Sequence, residues 1–178
     1  MGAHISGAHY NPVVTMAFLI RKDINLNNAF FYIFSQVLGS TLAALILFFL
    51  KDDVMEIQPN LSSSVYQILL SEILFTFLLV YVILNVATHP NLKGNSFYGF
   101  AIGLTVMAGA FSVGPISGGV FNPAVSIGPT LSQFIIGEGI IGLPPSGTLR
   151  TNLPALFREK RSDNFTLNPY PASLARSQ

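Results

Sequence analysis

The stretch Ile5-Ser6-Gly7-Ala8-His9-Tyr10-Asn11-Pro12-Val13-Val14-Thr15 returns, altered but recognisable, as Ile116-Ser117-Gly118-Gly119-Val120-Phe121-Asn122-Pro123-Ala124-Val125-Ser126. Corresponding residues are always 111 positions apart. A single Asn-Pro is an ordinary helix start: asparagine caps orphan N–H groups, and proline tolerates the first helical position, where its missing donor is not needed. Two of them in matched flanks, within an apolar chain, are a repeated device. The apolar run after each is about half of the ~20 residues that a bilayer crossing needs, so each reads as a half-helix that starts near the membrane midplane.

Hydrophobic residues make up 51% of the chain and charged residues 10%, with a mean hydropathy of +0.56. That composition belongs to membrane proteins. The charges are also absent in the right places. Leu26 to Leu50 has none, Val65 to Ala87 has only Glu72, and Ser96 to Gly137 has none. The last stretch is too long for one crossing and is expected to break at Gly114-Pro115, giving a span from about Ser96 to Val113 and a half-helix from Pro123 to about Ile135. The expected fold is therefore an all-α membrane protein with three full transmembrane helices and two re-entrant half-helices, multi-pass and embedded in a lipid bilayer. A formal charge of +1 gives no case for nucleic acid, and the lack of cysteine excludes a disulfide framework or a thiolate metal site. The start, Met1-Gly2-Ala3-His4, lacks the basic region and apolar core of a cleavable signal, so insertion is expected to rely on the internal spans.

Short polar connectors alternate in sign. Arg21-Lys22-Asp23 and the 88–95 loop, with Lys93 and His89, carry cations, whereas 51–64 carries three acids against one lysine. The positive-inside tendency places 21–25 and 88–95 in the cytoplasm and 51–64 outside. Past Gly137 the sequence turns polar and is punctuated by Pro144-Pro145, Pro154, Pro169 and Pro171. Residues 138–178 read as an irregular or disordered tail, a candidate for non-native sequence, distinct from residues 1–137.

Ser6-Gly7-Ala8-His9-Tyr10-Asn11-Pro12-Val13, Tyr32 with Gln36 and Gly39, Glu72 with Thr76-Phe77, and Ala101-Ile102-Gly103 leading to Gly118-Gly119-Val120-Phe121-Asn122-Pro123-Ala124 resemble the aquaporin, or major intrinsic protein, family. The resemblance covers about residues 1–137. The family pattern has six spans and two half-helices, so it implies a partial channel domain in which the first two spans and the last are missing. It implies a passive channel for water and small neutral solutes, with no cofactor, and a homotetramer for a complete relative. Asn11 and Asn122 would line the pore, together with carbonyls of Gly7, Ala8, His9 and Tyr10 and of Gly118, Gly119, Val120 and Phe121. Pro12, Pro123 and Glu72 would support them, Glu72 by holding the second Asn-Pro loop. The rival reading is a non-conducting membrane fragment that associates with full-length subunits.

Physical chemistry alone reaches part of this. Two half-helices that meet at the midplane present the positive ends of their dipoles there, which repels cations. Irregular backbone at membrane depth is tolerated where it lines a water-filled cavity. Glu72 is a lone carboxylate in an apolar span, where a charge has a partner or a task. His9 lacks carboxylates at ligand spacing, which argues against a zinc site and for a histidine that orients backbone. Gly99, Gly103 and Gly109 suit close helix packing. No nucleophile elbow or phosphate-cradling loop supports an enzyme.

By resemblance, three visible positions choose the solute: Ala110, Gly119 and Val125. Water-selective members tend to carry histidine and arginine at two of them. Val125 stands where Arg is common, and Ser126 where glycerol facilitators usually have Asp. The expected gate is wide and apolar.

Overall fold

A computed structural model describes residues 2–51, 55 and 59–137; the expected tail at 138–178 lies outside the described residues. The regular elements among the described residues are all helices: α1 (Ala3–Ser6), α2 (Pro12–Ile20), α3 (Leu26–Lys51), α4 (Val65–Thr88), α5 (Tyr98–Ser117) and α6 (Pro123–Gly137). A 3₁₀ turn at Pro90–Leu92 lies between α4 and α5.

Three helix starts have a clear local cause. Asn11 is extended (φ −149°, ψ 126°) with Pro12 in the first helical position, and its Oδ1 accepts the Val13 N–H at 2.9 Å. Asn122 repeats the arrangement, accepting from Ala124 at 3.1 Å. α4 begins with a capping box: Ser64 Oγ accepts the Gln67 N–H at 3.3 Å while Gln67 Oε1 accepts the Ser64 N–H at 2.8 Å.

The three spans are found where the charge gaps place them. Their apolar windows have mean hydropathy 2.1, 2.2 and 1.6, and α3, α4 and α5 are each long and apolar enough to cross a membrane. The break expected at Gly114-Pro115 is not there. α5 runs through Pro115 to Ser117. Proline removes a single donor and costs the helix one bond, whereas Gly118 (φ 91°) and Gly119 (φ 64°) take left-handed backbone that ends it outright. The Gly118 N–H closes the last turn on Gly114 O at 2.9 Å.

α6 packs along α3, α5 packs along α4, and α2 lies against α3 with smaller contacts to α4 and α6. The tightest crossing is at Gly128, where a Cβ would lie 2.3 Å from Ser40 Oγ and 2.7 Å from its carbonyl carbon. Of the three glycines expected to pack, only Gly109 does so. Nothing lies within 4 Å of where a Cβ would stand on Gly99 or Gly103. At the end of α2, Arg21 pairs with Asp23 at 2.7 Å and donates to Thr88 Oγ1 at 2.7 Å, which ties the half-helix to the last turn of α4.

Candidate functional site

The two repeated loops share a backbone shape as well as a sequence. Left-handed residues recur in register: Gly7 (71°) with Gly118 (91°), Ala8 (51°) with Gly119 (64°), and Tyr10 (50°) with Phe121 (48°). In both, a serine steadies the turn. Ser6 Oγ accepts the Ala8 N–H at 3.3 Å, and Ser117 Oγ accepts the Gly119 N–H at 3.2 Å. Ala8, Tyr10 and Phe121 are not glycines, and a side chain in this region costs on the order of 1–2 kcal/mol. Such backbone persists only where surrounding bonds hold it.

Two of those bonds run between the loops. Asn11 Nδ2 donates to the Phe121 carbonyl at 2.8 Å, and Asn122 Nδ2 donates to the Tyr10 carbonyl at 3.0 Å. Each asparagine thus caps its own half-helix through Oδ1 and clasps the opposite loop through Nδ2. The clasp brings the N-termini of α2 and α6 together, head to head. Asn11 is 4% exposed and Asn122 is half-buried.

Glu72, a third of the way along α4, holds the second loop. Its Oε1 accepts the Val120 N–H at 3.1 Å and its Oε2 the Phe121 N–H at 2.7 Å. Charge-assisted bonds of this kind are roughly twice as strong as neutral ones. The carboxylate also borders a cavity of about 420 Å³ shared with Ser117, Val120, Ser126 and Thr130, so it is not sealed in apolar surroundings.

The first loop is held by side chains of α2 and α3. Tyr32 Oη donates to Ser6 O at 2.5 Å. His9 is buried, its ring lying 4.3 Å from that of Phe18 and 4.6 Å from that of Tyr32. Thr15 Oγ1 donates to Asn11 O at 3.2 Å and accepts from Gln36 Nε2 at 2.9 Å, with His9 Nδ1 at 3.2 Å. A hydroxyl has one hydrogen, so the imidazole proton is assigned to Nδ1. Sequence reasoning marked Gln36 only by resemblance and gave Thr15 no role. The helical spacing of Asn11 and Thr15, four residues apart, was the available signal.

Of the three suggested selectivity positions, two touch. A Cβ on Gly119 would lie 3.3 Å from the Ala110 Cα and 3.2 Å from the Gly114 Cα, so the loop backbone rests directly on α5. Val125 is half-buried in the first turn of α6, its N–H donating to Asn122 O at 3.0 Å. Pro12 is buried and Pro123 half-buried, each at the first position of its half-helix.

This repeated, interlocked pair of Asn-Pro half-helices coincides with a match to the family model for Major intrinsic protein over residues 1–137. The chain belongs to that family. Among curated members, it is similar to aquaporin NIP3-1 of Arabidopsis thaliana, 43% identical over 137 residues, which covers 72% of this chain and 42% of the relative. The probable aquaporin TIP-type RB7-18C of Nicotiana tabacum is 36% identical over 135 residues, 74% of this chain and 54% of the relative. Aquaporin NIP1-1 of Zea mays is 39% identical over 130 residues, 72% and 46% respectively. The chain spans about half the length of the curated major intrinsic proteins it matches.

Proposed function

We propose that the chain forms part of the wall of a passive transmembrane channel for water and small neutral solutes, with Asn11 and Asn122 at its narrowest midplane passage. The reciprocal clasp carries the reading. An asparagine amide has two N–H donors; one is spent on the opposite loop, and the other remains for the oxygen of a passing solute. The dipoles of α2 and α6 add positive potential at the same level, equivalent to about half an elementary charge per helix end, which opposes cations. Carbonyls of Gly7, Ala8, His9 and Tyr10 and of their counterparts Gly118, Gly119, Val120 and Phe121 line the approaches. Ala110, Gly119 and Val125 form a wide, uncharged gate that passes neutral solutes larger than water. The relatives' names, all aquaporins, support the same class. The apolar outer faces of α4 and α5, among them Phe77, Tyr81, Phe100 and Phe111, are left for lipid and for sister subunits of a homotetramer.

A second reading is favoured by one observation. At most 17% of the apolar window of any span is buried, so the three spans alone do not enclose a lumen. On that reading the chain is a membrane fragment that conducts only in association with further spans. Osmotic shrinkage of proteoliposomes tests the channel reading. The chain joined to the flanking spans of the tobacco TIP-type relative should accelerate shrinkage, and Asn122→Ala in that hybrid should remove most of the gain. If the hybrid inserts and folds yet shrinks no faster than empty liposomes, the channel reading fails.

A further inference from the structure

We infer that Phe121 is a positioning residue: its ring, seated in a slot that glycine at 109 leaves open, fixes where the Asn11 amide stands, so residues 109 and 121 act as a matched pair in tuning solute passage. The inference rests on the channel reading above.

Phe121 is anchored in three ways. Its N–H is held by Glu72 of α4 at 2.7 Å, and its carbonyl receives the Asn11 amide of α2 at 2.8 Å. The residue is only 2% exposed, and its ring lies 5.5 Å from that of Phe75. The slot is shaped by a missing side chain. A Cβ on Gly109 would stand 2.6 Å from Phe121 Cε2, 2.9 Å from its Cζ and 2.8 Å from Phe75 Cδ1. Real Cβ atoms do not approach so closely, and an aromatic ring turns about two torsions and cannot bend away. A side chain at 109 would therefore push the Phe121 ring, and through its Cα the carbonyl that Asn11 grips. The same ring reaches toward the gate, with Cζ 3.6 Å from where a Cβ would stand on Gly119.

The first loop shows that the backbone does not itself require this. Tyr10 has the same left-handed φ and the same carbonyl role toward Asn122, yet it is 62% exposed. The buried ring is a feature added to one loop of two. Its effect is to make the crossing distance of the clasp depend on the volume shared by residues 109 and 121.

The test reads the asparagines directly. The full chain, labelled with ¹⁵N-asparagine in lipid bilayers, gives side-chain amide signals for Asn11 and Asn122, assigned with Asn11→Asp and Asn122→Asp. Gly109→Ala should shift the Asn11 signal, while Gly103→Ala, in open space on the same helix, should not. Adding Phe121→Leu to Gly109→Ala should bring the signal back toward its original place. Phe121→Leu alone, which makes room and creates no clash, should also shift it; this keeps the test decisive if Gly109→Ala fails to fold. An unmoved Asn11 signal in Phe121→Leu, or no return in the double variant, overturns the positioning role. In the conducting hybrid, the glycerol-to-water uptake ratio should change on the order of threefold in Gly109→Ala and recover in the double variant, less than the ~10-fold that a whole methylene commands in a fitted pocket. Shifted signals with an unchanged ratio overturn the tuning. Shifted and restored signals in a hybrid that never conducts uphold the positioning and overturn the channel.

Discussion

At the residue scale, Asn11 has two tasks that a single substitution separates. Asn11→Asp keeps an oxygen to cap the Val13 N–H but loses the amide donor and turns a carboxylate toward the Phe121 carbonyl. It should lower stability by about 2 kcal/mol or more, the cost of a buried acceptor left unmet, as measured by dodecyl sulfate titration of the chain in mixed micelles. A loss no larger than that of an exposed substitution would mean the clasp is not formed. Glu72→Gln retains one acceptor where two N–H groups are waiting, so it should cost about 1–3 kcal/mol in the same assay. At the proposed gate, Val125→Arg in the conducting hybrid should reduce urea and glycerol uptake more than water, because arginine would fill the neck and add donors and charge. Equal ratios before and after would remove residue 125 from the gate. The chemistry of these residues was legible in the sequence: a lone intramembrane acid needs partners, and Asn-Pro starts a helix. The loop that Glu72 holds was legible only through the family resemblance, and the partner of Asn11 was not legible at all, because a carbonyl 110 residues away leaves no local pattern.

The elements were legible to the extent that hydropathy defines them. Gaps in charge located α3, α4 and α5, and the Asn-Pro pairs located α2 and α6. The reading failed where two breakers compete, at Pro115 and the Gly118-Gly119 pair, because the left-handed glycines stop a helix more completely than one lost donor. It failed again at Gly99 and Gly103, since glycine spacing permits a close crossing but does not say which helix arrives. The tightest crossing, α3 against α6 at Ser40 and Gly128, rests on a glycine that the spacing argument passed over. Gly128→Ala should therefore destabilise the chain by about 1–3 kcal/mol, as overpacking does. Gly39→Ala, with nothing within 4 Å of the added carbon, should instead be neutral or gain up to about 1 kcal/mol, because alanine is the better helix former. Similar losses in both would show that the crossing at Gly128 does not set the response, since propensity alone favours alanine at both positions.

At the scale of the whole molecule, three spans with mostly uncovered apolar faces can rest in lipid, but the two half-helices need protein around them, because unmet backbone groups at membrane depth cost several kcal/mol each. Liposomes that hold only this chain should accordingly shrink no faster than empty ones. A clear acceleration that Asn122→Ala abolishes would show that copies of the chain enclose a lumen together. The reciprocal clasp also imposes an order in time. Each asparagine grips a carbonyl 110 or 112 residues away in the chain, so the first loop cannot take its final shape until the second has left the ribosome. At roughly 5–20 residues per second, that wait is on the order of ten seconds. Throughout it, the left-handed Tyr10 has no opposite amide to steady it, and α2 is a nine-residue helix, too short to persist unaided in water. Synthesis of the first Asn-Pro motif therefore produces a waiting intermediate, and the second motif releases it.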